Sequence, residues 1–346
     1  MRDVARAAAV STASASRALA RPELVSEHLR EGVARAAADL GYVPNAAARA
    51  LAAHRSGIIG VIAGSLEDVV ARRATEGLSR RLDSAGYAAH LATASGDATG
   101  TVRLVHQLLA RGVDALALVG VDLPEDPASL RVGRAPVACL DQPTPGSKFA
   151  PFVRAQAMEL AIRFLRELGH RRIGVVAPGR ACGIGAMRGA LAATDISLVG
   201  LSDEVEREPR FISGETLARW LALPNPPTAL ACGSDLVAAA TLRECEAHGI
   251  AVPGRLSIIG FGDTELARHT RPMLSTVRIP AAEAGVVAAD FLLAALRGEA
   301  LVAPRLGTKV VARESTGRAG NPLEGGDSRG HSLKRSTWNR KSAGFT

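Results

Sequence analysis

The chain has 346 residues, 47% of them hydrophobic, 22% charged and 3% aromatic, with a net charge of +8. That length suits two or three domains with sizeable cores. No run approaches the roughly 18 apolar residues a membrane span needs, and the polar N-terminus is not an export signal; a cytoplasmic protein is expected. Cys139, Cys182, Cys232 and Cys245 form no CxxC pair and have no histidine at metal-binding spacing, so they read as reduced thiols rather than a disulfide framework or a metal site. The charge is uneven. Residues 1–56 carry eight Lys/Arg against five Asp/Glu, residues 317–346 six against two, and the 260 residues between them 28 against 27. A basic head on a neutral body fits nucleic-acid contact confined to the head.

In chain order, a first short helix is expected over about Arg2–Ala8. Ser11 can cap a second by accepting from the free amides of its first turn. A third follows Ser26, with Leu29, Val33, Ala36 and Leu40 on one face, closed by Gly41 and Pro44. Val4, Ala8, Val10, Leu19, Leu29, Val33 and Leu40 would pack the three together. The segment VSTASASRAL (Val10–Leu19) reads as the turn and second helix of a helix-turn-helix, although its spacing also allows a small bundle with a serine-rich surface. A helix entering a major groove needs small or hydrogen-bonding side chains on its leading face. Thr12, Ala13 and Arg17 supply them: Arg17 for the two acceptors of a guanine, Thr12 by hydroxyl or methyl, Ala13 by apolar contact. Ser11, Ser14 and Ser16 suit phosphate oxygens, which set register without reading sequence.

From Ile58 the pattern changes. Apolar runs at 58–63, 88–92, 115–119, 136–140, 172–176, 228–232 and 256–261 alternate with helical stretches at 74–85, 102–111, 155–168, 234–248 and 281–297. Repeated strand–helix alternation predicts parallel sheets covered on both faces. A break near Gly169–His170 and a return near Thr276–Pro280 divide the sheets into two lobes. The last thirty residues, rich in Gly, Ser and Arg, read as a disordered tail.

The head sequence DVARAAAVSTASASRALA…VSEHLREGVARAAADLGYVPNAAARALA resembles the amino-terminal domain of the lactose/galactose repressor family. The resemblance implies that Pro44–His54 is a hinge helix in which Leu51, paired with its dimer mate, wedges into the minor groove at the operator centre, while Arg49 and Arg55 meet phosphates. A segment this short is no stable helix alone, and apolar wedges of this kind bend a duplex. Its ordering on DNA can therefore act as a switch. Two departures stand out. The first helix starts without the family's polar cap, a loss of about 1 kcal/mol. Ala9 stands where the family has Gly, so a positive φ there would add about 1 kcal/mol of strain.

RELGHRRIGVVAPG (166–179), PGRLSIIGFGDTELAR (253–268), MLSTVRIPAAEAG (273–285) and VVARESTG (310–317) extend the resemblance to residue 316. It implies a periplasmic-binding-protein-like body with a small effector between two lobes, where open α/β sheets hold ligands. The expected division is a helix-turn-helix head over 1–43, hinge and linker over 44–56, and a body over 57–316. The first lobe takes about 57–168 and 279–301, the second 169–278 and 302–316, and a basic tail fills 317–346. At the family's sugar-contacting positions stand Val153, Ala186 with Arg188 two residues on, Ser234-Asp235 and Gly262-Asp263. A pyranose needs carboxylates and amides for its hydroxyls, and several are missing. GFGD and STVRIP are similar to the gluconate-repressor branch, which implies a sugar-acid effector served by Arg180, Arg188 or Arg278; each arginine could equally be a surface or interlobe residue. Asp235 is the leading pocket residue, or else a helix N-terminal acid favoured by the dipole.

No Ser-His-Asp order, metal cluster or phosphate loop points to an enzyme, and Gly183–Gly185 lacks the rest of a dinucleotide fingerprint. A solute-binding protein would share the body but need no head. The expectation is a regulator, acting as a repressor without a cofactor: a homodimer on an inverted-repeat operator, with no leucine heptads for a tetramer, its DNA affinity set by the effector.

Overall fold

In the computed structural model, which describes residues 1–20, 24–42, 55–94, 97–124, 126–140, 154–176, 197–199, 212–301, 304 and 306–320, three short helices come first: α1 (Arg2–Ala7), α2 (Thr12–Ala20) and α3 (Glu27–Asp39). Val4, Ala5, Ala15, Ala18, Val33, Ala36 and Ala37 form their core. Leu40, expected in that core, is 50% exposed. The helix stops at Asp39 and Gly41 turns the chain away at φ +59, so Ala36 and Ala37 complete the apolar face instead. The start of α2 is as expected, with Ser14 N donating to Ser11 Oγ at 3.0 Å. Met1 stands at the N-cap of α1 and makes no side-chain cap bond, and Ala9 has φ 53, the left-handed region that L residues avoid.

The first lobe contains β1 (Ile58–Ala63), α4 (Val69–Ser84), β2 (Ala88–Thr93), α5 (Ala98–Ala110), β3 (Ala115–Val119) and β4 (Val137–Cys139). Its sheet has the order β2-β1-β3-β4, every pair parallel, with Ile59 opposite Ala115 and Leu116 opposite Val137. β1 and β3 are almost wholly buried, which is why they read as unbroken apolar runs rather than alternating ones. The second lobe contains α6 (Arg154–Glu167), β5 (Arg172–Val176), β6 (Ser197–Val199), α7 (Gly214–Leu221), β7 (Ala229–Cys232), α8 (Asp235–Ala247), β8 (Ser257–Phe261), α9 (Leu266–His269) and β9 (Ser275–Arg278). The chain then crosses to the first lobe as α10 (Ala281–Arg297) and returns as β10 (Lys309–Val311). This sheet has the order β10-β9-β8-β7-β5-β6, parallel except for the antiparallel edge strand β10. β6 and β10, of three residues each, are too short to give an apolar run of their own.

α10 lies along α4 and also packs on β3 and β4. The two helices meet at glycine distance. A Cβ on Gly285 would stand 1.9 Å from the Ala74 carbonyl oxygen, and one on Gly77 2.1 Å from that of Ala282. Two boundaries differ from expectation. α6, expected in the first lobe, packs on β7, β9 and β10, so Arg154–Glu167 belongs to the second lobe. Residues 317–320, assigned to the tail, are tied to the second lobe. His170 Nε2 is 3.1 Å from the Gly317 carbonyl oxygen, and Ala319 N donates to Leu168 O at 2.8 Å.

The strain at Ala9 is testable. Replacement by Gly relieves about 1–2 kcal/mol of left-handed strain against about 0.4–1 kcal/mol of added unfolded-state entropy. We expect amide exchange in α1 and α2 of the full chain to slow roughly two- to five-fold in Ala9→Gly. Exchange as fast as in the parent chain would show that the strain at Ala9 is no larger than the entropy cost of the glycine.

Candidate nucleic-acid interface and interlobe cavity

α2 divides cleanly by burial. Ala15 and Ala18 are buried against α1 and α3, while Thr12, Ala13, Ser16 and Arg17 are exposed. With 100° between successive residues, positions 12, 13, 16 and 17 lie on one face, so the three expected base-reading residues and one serine share the solvent side. Ser14 is half-buried, its hydroxyl 2.9 Å from that of Ser11. Ser11 caps α2, its Oγ accepting from Ser14 N.

Pro44–His54, with Arg49 and Leu51, lies outside the described residues. The linker emerging from it is anchored to the first lobe. Ser56 N and Gly57 N each donate to the Asp114 carboxylate at 2.8 Å. Arg55, expected on a phosphate, donates through Nη2 to the Leu296 carbonyl at 2.5 Å. The last carbonyls of a helix lack intrahelical partners and carry the negative end of its dipole, so α10 offers this guanidinium a ready acceptor.

Between the lobes is a cavity of about 520 Å³. The first lobe lines it with the loops that follow β1, β2 and β3, including Asp97 at the cap of α5, and with the N-terminal turn of α4. The second lobe contributes the start of α8, the end of β8 and the start of α9. The floor is tight backbone: a Cβ on Gly64 would stand 1.8 Å from the Gly120 carbonyl oxygen. Asp68 caps α4 by accepting from Val70 N at 2.8 Å and Ala71 N at 3.3 Å. Asp97 caps α5 by accepting from Gly100 N at 2.5 Å, and Ser234 caps α8 by accepting from Val237 N at 3.1 Å.

Of the expected effector residues, Ser234 and Asp235 line this cavity. Asp235 is 1% exposed and its carboxylate is already engaged. Oδ1 accepts from Thr276 Oγ1 at 2.5 Å, and Oδ2 accepts from Thr264 N at 2.6 Å and Thr264 Oγ1 at 2.9 Å. Burial pushes its pKa up; the threonine hydrogen bonds oppose that, and the neighbouring Asp263 charge adds to it. Asp235 thus holds the loop after β8 in place. Asp263 is not among the lining residues. Its backbone has φ 45, and its side chain is 2% exposed. It accepts from Arg278 Nε at 2.6 Å and forms a second, close ion pair with Arg313. Burial alone would raise its pKa, but the hydrogen bonds and charges of Arg313 and Arg278 hold it below the usual value. Arg278 is therefore bound to a carboxylate of its own chain. Val153, Arg180, Ala186 and Arg188 lie outside the described residues.

Lobe 1's share of the lining, Asp68, Asp97 and Asp122 among it, went unremarked in the sequence. The signal was there: an acid or Ser closing the loop between a buried strand and an amphipathic helix is a cap, and such caps stand at the carboxyl ends of strands, where open sheets hold ligands. No group of three or more His, Cys, Asp or Glu able to hold a metal occurs among the described residues, and no helix there is long and apolar enough to cross a membrane.

Because the folded-state pKa of Asp263 is depressed, its ion pairs stabilise the fold above the unfolded value of about 4 and fade as pH falls through the lower folded value. Breaking a buried pair by neutralising one partner costs about 3 kcal/mol. Asp263→Asn should lose about that much in urea unfolding at pH 7, and the gap to the parent chain should close as the pH is lowered below about 4. A gap unchanged by acid would mean that the carboxylate charge is not what stabilises this corner.

Comparison with known proteins agrees with both halves. Residues 1–45 match the bacterial regulatory proteins of the lacI family, and residues 162–316 match the periplasmic binding protein-like domain. The HTH-type transcriptional repressor CytR of Escherichia coli K12 is 29% identical over 321 residues, covering 86% of this chain and 90% of that protein. The HTH-type transcriptional repressor PurR of Escherichia coli O139:H28 is 29% identical over 304 residues, covering 85% and 89%. The lac repressor dimer bound to operator and the anti-inducer ONPF superposes with a TM-score of 0.73 at 26% identity, covering 91% of this chain and 98% of that one. The transcription regulator GntR of Chromobacterium violaceum gives 0.63 at 29% identity, covering 75% and 99%. A head of one kind and a body of the other, in the same order and over nearly the same length as in these repressors, make the chain a member of the LacI family of bacterial regulatory proteins.

Proposed function

We propose that the protein is a cytoplasmic, homodimeric repressor that binds an inverted-repeat operator and answers to a small effector held in the interlobe cavity. The observation that carries the DNA reading is the face of α2. Thr12, Ala13 and Arg17 are solvent-exposed on a helix fixed from behind by Ala15 and Ala18. Two heads related by dimer symmetry present two such faces to successive major-groove half-sites. Ser14 and Ser16, with Ser11 and Arg49, are assigned to the phosphates, and Leu51 to the minor-groove wedge. The relative whose solved dimer holds operator DNA supports this arrangement. The rival reading, a solute-binding protein with the same body, leaves the head without a purpose.

Effector control needs a ligand that binds one lobe arrangement better than another. A physical route from the cavity to the linker supports this. The N-terminal turn of α4 lines the cavity, α4 is interlocked with α10, and α10 receives Arg55 at the base of the hinge. A change in lobe arrangement that moves α4 must therefore carry α10 and the linker with it. Arg55 serves this reading better as a tether of the hinge than as a phosphate contact.

Anisotropy with a labelled inverted repeat from the chain's own promoter tests the reading; affinity no better than for random duplex at moderate salt would falsify it. Arg17→Ala should relax base preference at one position of each half-site by about 1–3 kcal/mol; an unchanged preference profile removes Arg17 from base reading. Leu51→Ala should weaken operator binding while effector binding stays as it was, and equal operator affinity in the two proteins would remove the wedge.

A further inference from the structure

We propose that Asp114 is a positioning residue for operator recognition: by fixing the point where the linker from the head enters the body, it sets the half-site spacing that the dimer accepts. This rests on the homodimeric operator reading above. The carboxylate takes two successive backbone amides, Ser56 N through Oδ1 and Gly57 N through Oδ2, each at 2.8 Å. Consecutive N–H groups that converge on one anion form a nest, and hydrogen bonds to a carboxylate are stronger than those between neutral groups. Gly57 makes the convergence possible. It has φ +70, and a Cβ there would meet nothing within 4 Å, so glycine is required by the turn of the backbone and not by space.

The seat of this clasp is rigid. Gly57 leads into β1 and Asp114 into β3, and the two strands are parallel neighbours, almost wholly buried. Asp114 N donates to Ile58 O and Ala88 N to Gly57 O, both at 2.8 Å, so β3 and β2 grip the start of β1 from either side. Ser56 Oγ accepts from Ile58 N at 3.1 Å, and Arg55 reaches the end of α10. In a symmetric dimer two such seats stand in a fixed relation. The two heads must dock in half-sites about 34–36 Å apart, or a multiple of that. A seat that does not swing restricts the separations they can reach, and it saves the ordering cost of bringing them there. The side chain that locks the seat therefore bears on operator choice although it stands in the body.

The test varies the spacing. Labelled duplexes carry the inverted repeat from the chain's own promoter with its centre unchanged, lengthened by one base pair or shortened by one. Each change shifts a half-site by about 3.4 Å and turns it by about 35°. Anisotropy is read at one salt concentration for the full-length parent, Asp114→Asn and Asp114→Ala. Asn keeps one acceptor but sets a donor against the second amide, and Ala removes both acceptors. We expect the parent to lose roughly tenfold in affinity on either altered duplex, Asp114→Asn about threefold, and Asp114→Ala less than about twofold. A substitution that merely destabilised the body would lower all three affinities by one factor and leave their ratios as they were. The ratios therefore carry the test, and urea unfolding shows which variants are folded. Ratios unchanged in Asp114→Asn and in Asp114→Ala, or in the first alone where the second does not fold, overturn the proposal, as does an operator-selective parent indifferent to spacing. A parent with no selectivity for the inverted repeat over random duplex overturns the operator reading itself, and the role of Asp114 with it.

Discussion

The body depends on a close contact between two helices. α10 crosses from the second lobe to the first and lies on α4 at a separation that only hydrogen at Gly77 and Gly285 permits. Protein interiors are packed to crystal density, so a contact made through backbone atoms has no soft side chain to absorb a shift. Ala284, Ala288, Leu292 and Leu293 of α10 join the same buried cluster as Ile59 and Val61 of the first sheet and Ile259 and Val277 of the second. The lobes are separate sheets around a shared core, and α10 is the element that spans it.

Both ends of α10 bear on function. Its N-terminus follows Arg278, which is bound to Asp263 in the loop after β8; the same loop is held by Asp235 through Thr264. Its C-terminus receives Arg55. The acids expected to touch an effector are thus largely consumed in fixing the loop and crossover that border the cavity. Asp263 is buried in αL geometry between two guanidinium groups, which suits a structural corner. The cavity is left to be defined by helix caps, backbone at Gly64 and Gly120, and exposed leucines.

Much of this was legible in the residues. The strand runs at 58–63, 115–119 and 172–176 appear over the same residues in the structure because buried parallel strands are apolar on both faces. Ser11 was recognisable as a cap and Ala9 as a strained residue, since both depend on neighbours within a few positions. What was not legible followed from distant partners. Nothing near Asp263 in sequence announces that Arg313, fifty positions later, will neutralise it. Arg55 looks like a phosphate contact until α10 places a carbonyl beside it across 241 positions. α6 reads as the last helix of the first lobe until β9 and β10 give it a sheet to cover.

The sequence by itself determined the kind of molecule: a small helical head and a two-lobed α/β body. Those features rest on local periodicity, caps and turn residues, whose energetics act over a few residues of chain. Only the tertiary structure decided which charged groups are spent within the protein and which border the cavity. A carboxylate's partners are set by side chains that the fold brings together from far apart, and the same Asp can be a ligand contact, a helix cap or a buried counter-ion depending on which of them arrives.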